Sequence, residues 1–229
     1  MSFRSAGAWR RMFAFVAVLA WSIGGSALAA TNAVTSGGGN WSHAYAAYGE
    51  TPMYPRGFKA FEWVNPEAPK RGTLYLSNPD RRTSFDKFNP FTLKGSAPAG
   101  LSILMFEPLA VRSGDEPGTV YGLVAEEMRV PPDKSSITFR IHPKARFYNG
   151  DPVTAADVEH SFAMLTSKGA APAVRAALEG VKGATVVDER TIRFDLNDRS
   201  DDALFNVAGI PVFSRNWGRG ADGKPKPFD

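Results

Sequence analysis

Four ionisable side chains crowd the stretch RFYNGDPVTAADVEHSF at 146–162: Asp151, Asp157, Glu159 and His160. Carboxylates beside an imidazole could hold a metal ion or share acid and base work. Asp157 and His160 stand three apart, a spacing that puts both on one face of a helix. A metal ion needs a third and a fourth ligand as well, and the other histidines, His43 and His142, stand in no recognisable ligand spacing. Nucleophilic catalysis has less to draw on, since the chain has no cysteine and no Gly-x-Ser-x-Gly elbow. A secreted hydrolase working with an Asp/Glu pair, as glycosidases do, would need two carboxylates fixed opposite each other. Nothing in the sequence fixes such a pair.

The elements that must position these residues give them other work. Asn149-Gly150 supplies a tight turn that tolerates positive φ. Thr154 with Asp157 three residues later forms a capping box with Asp in place of the usual Glu, and opens a helix over 155–168. Val158, Phe162 and Leu165 then give that helix its buried face, which turns Glu159 and His160 mostly towards water. A second helix is expected at 173–180. Two hairpins frame the pair. One runs from Val124–Val130 through a turn at 131–135 to Ser136–Ile141, and the other covers Ala184–Leu196 across Asp188-Glu189-Arg190.

Upstream, GTLYLS at 72–77 alternates as a short strand and runs into NPDRRTSFDKFNPFTLKGSAPAG, a long loop punctuated by Asn-Pro and glycine. Long ordered loops at strand ends are where binding groups tend to be placed. Leu101, Leu104, Met105 and Leu109 are spaced as a helix from Ala97 to about Ala110, with Ser96 as N-cap and Pro98 in the first turn. Free backbone N–H groups, the helix dipole and Lys94 would then converge on one spot able to attract an anion. An ordinary capped helix with a solvated lysine fits the same residues.

Residues 1–30 read as an export signal. Arg4, Arg10 and Arg11 precede an apolar run from Met12 to Ile23, too short for an anchored span, and an Ala27-Leu28-Ala29 cleavage pattern follows. Arg10-Arg11-Met12-Phe13 partly matches the twin-arginine pattern, beside ordinary secretion. Those thirty residues carry three Arg and no acid, so removing them lowers the formal charge from +4 to +1. A nucleic-acid role loses its electrostatic footing with them. The absence of cysteine rules out a disulfide framework, thiol chemistry and a lipid-anchored form. Residues 31–72 show little periodicity but many anchors, among them Trp41, Tyr45, Tyr48, Tyr54, Phe58, Phe61 and Trp63. They predict an irregular segment pinned to a domain surface by aromatic burial, with an aromatic ligand platform as the rival use. The polar, Gly- and Pro-rich ending RNWGRGADGKPKPFD closes on no helix or strand, as a truncated chain or a natural tail would.

The long segment LVAEEMRVPPDKSSITFRIHPKARFYNGDPVTAADVEHSFAML at 123–165 resembles the region that identifies family 5 extracellular solute-binding proteins, the peptide-binding components of ABC importers. Phe88-Asn89-Pro90, Met105-Phe106-Glu107-Pro108-Leu109 and the PVFSRNW stretch extend the resemblance over nearly all of the chain after the signal. The aromatic N-terminal block and FNPFTLKGSAPAG are most similar to the YejA-like branch. Two departures stand out: family members are substantially longer, and His142-Pro143-Lys144 replaces the usual Arg-Pro-Gly turn.

The resemblance implies an α/β fold of periplasmic binding protein type II, two-lobed with an extra subdomain, of which only the N-terminal part is present. On that reading 1–30 is the signal peptide and 31–109 the start of lobe I. Residues 110–200 form the extra subdomain with two hairpins and helices, and 201–229 return towards lobe I. It implies a periplasmic, monomeric, non-enzymatic protein without cofactor or metal, which closes on an oligopeptide and delivers it to ABC permease subunits in the inner membrane. A different solute, such as an anionic ligand or a metal chelate, would keep the fold and change the pocket. The loop that faces the cleft contributes Phe85, Asn89, Lys94, Gly95, Ser96 and Ala97, with backbone groups pairing to the ligand as an added strand would.

Overall fold

The computed structural model describes residues 39–73, 75, 85–217 and 222–224. The strand expected at 72–77 and the signal at 1–30 fall largely or wholly outside the described residues. Among the described residues no helix is long and apolar enough to cross a membrane.

Both hairpins form where the alternation predicts them. β4 (Ala125–Arg129) pairs antiparallel with β5 (Ser136–Ile141), and β6 (Val181–Asp188) with β7 (Thr191–Leu196). β5 also pairs with β7, giving a four-stranded sheet in the order β4-β5-β7-β6. Ile137, Phe139 and Ile141 on β5 and Ile192, Phe194 and Leu196 on β7 are buried, so the period-two pattern marks the two central strands. Phe162 of the following helix stands edge-on to Phe194 at 5.6 Å, closing the layer.

A second, three-stranded antiparallel sheet has the order β1-β3-β2, from Ala44–Ala46, Thr119–Gly122 and Ala110–Arg112. The chain passes directly from β3 into β4 at Gly122, where a Cβ would stand 2.3 Å from the Ala125 carbonyl oxygen. Only glycine fits that close approach. The two sheets share one apolar core that runs from Ala47 and Phe91 through Ile137 and Phe194 to Phe213.

The helices hold two confirmations and one correction. α2 (Ala155–Thr166) and α3 (Pro172–Ala177) occupy the expected positions, and α4 (Asp201–Ala208) adds a Ser200 cap that accepts from the Ala203 N–H at 3.2 Å. The helix expected from Ala97 to Ala110 is instead α1, four residues at Leu101–Leu104, and its N-cap is Gly100 in the left-handed region rather than Ser96. The apolar spacing is present, but of its four residues only Leu109 is buried in the core. Ile103, Leu104 and Met105 are 82%, 60% and 68% exposed. A short helix without tertiary burial does not propagate, and pairing of Ala110–Arg112 with β3 draws the chain into a strand.

The aromatic N-terminal segment is pinned as expected, with two exceptions. Tyr54, Phe58 and Phe61 pack with Tyr121, and Trp41 lies under the guanidinium groups of Arg129 and Arg140 at 4.9 and 4.2 Å. Tyr48 and Trp63 remain more than half exposed. Tyr45 donates to Asp201, which also takes an ion pair from Lys134 at 2.6 Å, so one carboxylate joins β1, the first hairpin turn and α4.

Candidate ligand-binding site

The opening cluster at 146–162 is a joint in the scaffold. Asp157 is buried; its Oδ2 accepts from the Thr154 N–H at 3.0 Å and from the Thr154 hydroxyl, and its own N–H faces the Thr154 side chain to complete the capping box. Its Oδ1 accepts from the Arg215 N–H at 3.0 Å. One turn later Ser161, fully buried, accepts from the Phe213 N–H at 3.0 Å and lies 2.8 Å from the Asp157 carbonyl. The first two turns of α2 therefore clamp the 213–215 segment, a role the local pattern did not reveal. Asp151 closes the Asn149 turn, Glu159 is exposed, and the His160 ring stands edge-on to Phe213. Among the described residues no three metal-ligating side chains come together.

The loop at 85–97 is built differently. Asp86 closes its neck: the Asp86 N–H donates to the Ser96 carbonyl at 3.1 Å, and Asp86 Oδ1 accepts from the Ser96 N–H at 2.6 Å. Gly95, at φ +76°, makes that closure possible, because a Cβ there would meet Asp86 Oδ1 at 2.6 Å. Inside the loop, Asn89 Oδ1 caps the Phe91 N–H at 3.0 Å and Lys87 Nζ reaches the Thr92 carbonyl at 2.7 Å. At the base, Phe91 is buried against Phe106 and Phe213, and its carbonyl accepts from the Ala171 N–H at 2.7 Å. The loop is thus held at its neck and at its base, while Phe85, Phe88 and Leu93 on it are exposed.

Of the six residues expected to meet a ligand, Phe85, Lys94 and Gly95 are exposed, and Asn89, Ser96 and Ala97 are half-buried. Phe85 stacks edge-on with Phe88 at 4.9 Å. Both backbone groups of Ser96 are taken by Asp86, whereas the backbone groups of Lys94, Gly95 and Ala97 carry no hydrogen bond among the described residues. The convergence of Lys94 with a helix N-terminus does not occur, because that terminus begins at Gly100. What the structure does bring to Lys94 is the α2–α3 connection. Thr92 bridges to Ala170, and a recess of about 420 Å³ opens between them, with Lys94, Lys168 and Arg175 on its wall. A larger concavity of about 590 Å³ lies between α1 and the 142–153 segment, lined by Leu104, Met105, Glu107, Arg146 and Tyr148 among others.

Known proteins share this arrangement of sequence and fold. A protein of Agrobacterium fabrum, "Probable peptide-binding protein YejA", is 35% identical over 189 residues, covering 81% of this chain and 30% of the relative. The peptidoglycan-binding protein YepA of the same organism is 34% identical over 183 residues, covering 76% and 29%. The chain spans less than a third of the length of the curated relatives it matches. Among solved structures, the periplasmic murein tripeptide-binding protein MppA in its unliganded open form superimposes with a TM-score of 0.50 at 23% identity, over 60% of this chain and 30% of that one. That likeness establishes a type II periplasmic binding protein fold over the shared span. Residues 119–228 match the family described as bacterial extracellular solute-binding proteins, family 5 middle region, and with these relatives they show that the chain belongs to the family 5 extracellular solute-binding proteins.

Proposed function

We propose that the protein is the substrate-binding component of an ABC importer, which takes oligopeptides or peptide-like compounds in an interlobe cleft and hands them to a permease. The carrying observation is the 85–97 loop, braced at neck and base, which leaves the backbone of Lys94, Gly95 and Ala97 open for strand-like pairing with an extended ligand. The relatives YejA, a probable peptide-binding protein, and YepA, a peptidoglycan-binding protein, and the structural neighbour MppA, a murein tripeptide-binding protein, support the same solute class. Residues 1–30 direct export to the periplasm. Residues 31–109 begin lobe I, 110–200 form the extra subdomain and 201–229 lead back towards lobe I. No bond is made or broken; binding free energy selects the closed form, which the permease recognises.

Isothermal titration of the full-length protein with a pool of random short peptides tests the reading. Saturable heat with peptides is expected. A flat response, together with uptake of a sugar or a metal complex by cells carrying the gene, overturns it.

A further inference from the structure

We infer that the recess between the 85–97 loop and the α2–α3 connection is a subsite for a carboxylate of the bound solute, an inference that rests on the peptide-binding reading above. Lys94 stands on one wall and Lys168 and Arg175 on the other, so every ionisable side chain lining the recess is basic. The chain outside residues 1–30 carries a formal charge of only +1, that is +4 less the three arginines of that stretch. Three cations in one recess are therefore a local concentration and not a share of a general excess.

The backbone that carries them is held in place. The bridge from Thr92 to Ala170 and the bond from the Ala171 N–H to the Phe91 carbonyl fix the two walls against each other. Arg175 Nη1 donates to the carbonyls of Lys168 and Ala170, both at 3.1 Å, which orients the guanidinium and leaves Nε and Nη2 without an acceptor among the described residues. That open edge has the geometry of a two-pronged carboxylate receptor. Behind the wall Lys87 binds the Thr92 carbonyl and hydroxyl, adding a fourth positive charge.

Among the described residues no acidic side chain lines the recess. Neither Lys94 nor Lys168 has an ion-pair partner among the described residues. Like charges in a recess that no acidic side chain lines favour an anionic occupant, and Leu93 and Pro172 offer apolar contact to the aliphatic part of the residue that carries it. A volume of about 420 Å³ suits one or two residues of a peptide rather than a folded chain.

The carboxylate could be the free C-terminus of the peptide or an acidic side chain, and two matched pairs separate these sources. Full-length protein is titrated with Ala-Ala-Ala as free acid and as amide, and with Ala-Glu-Ala amide and Ala-Gln-Ala amide. One of the two pairs should show an affinity ratio of about fivefold or more in favour of the charged member, shrinking with added salt. In the Lys94→Gln, Lys168→Gln double variant that ratio falls towards one, whereas Lys59→Gln, an exposed lysine outside the recess, leaves it unchanged. Both replaced lysines are exposed, so folding is not at stake; if the double variant is unstable, Lys168→Gln alone carries the same readout. Peptide binding with no charge preference, or with a preference the double variant keeps, overturns the subsite and leaves the peptide reading standing. No heat with any of the four peptides, nor with the random pool, removes both.

Discussion

Replacing Asp157 by alanine separates a scaffold from a site. The carboxylate takes two backbone N–H groups, Thr154 at 3.0 Å and Arg215 at 3.0 Å, and is itself buried. Loss of the bond to the Thr154 N–H, the Asp157 half of the capping box, costs about 1 kcal/mol. Loss of a charge-assisted bond to the Arg215 N–H adds roughly 2 kcal/mol. The sum, about 3 kcal/mol, corresponds to a fall in melting temperature of about 6–12 °C for a chain of this size. Asp157→Asn should lose about half as much, because its oxygen serves one N–H while its NH2 group faces the other donor. Thermal unfolding followed by far-UV circular dichroism measures both variants, and calorimetry at a temperature where they are folded measures peptide affinity, which should stay within about twofold of wild type. An unchanged melting temperature combined with lost binding would refute the reasoning and return Asp157 to the list of functional residues.

Three other outcomes follow from the same structure. Burial, and then the hydrogen bond to Glu116, push the Tyr121 phenol up to about 12. Its folded pKa exceeds the unfolded value near 10, so the stabilisation is fully present below about pH 10 and is lost as pH rises towards 12; urea midpoints should fall over that window, and less so in Tyr121→Phe. Gly122→Ala forces a Cβ to 2.3 Å from the Ala125 carbonyl oxygen, a backbone clash that should cost about 3 kcal/mol in urea unfolding. Gly95→Ala combines φ +76° with a 2.6 Å contact to Asp86 Oδ1, so it should open the loop neck and weaken peptide binding while leaving the melting temperature nearly unchanged; unaltered affinity in calorimetry would dissociate the loop from the ligand.

The two hairpins, the capping box and the α2 and α3 helices could be read from the sequence because their causes lie within a few residues. Alternation of Ile137, Phe139 and Ile141, the Thr154 and Asp157 pair, and Pro172 at the start of α3 each act through immediate neighbours. The 85–97 loop was legible for the same reason, since its Asn-Pro and Gly signals are local, and the family resemblance rests on the same stretches. The extent of α1 was not, although its apolar spacing was sound, because a helix face is stabilised by what covers it and no described layer covers Ile103, Leu104 and Met105. Nor could spacing show that Ser161 would take the Phe213 N–H, that Ala44–Ala46 would pair with β3, or that Lys168 and Arg175 would come to stand beside Lys94. The sequence alone determined the two hairpins, α2, α3 and the family. The meeting of distant residues belongs to the tertiary structure, because closing a long loop is driven by the summed burial of the whole core and leaves no mark at the residues it brings together.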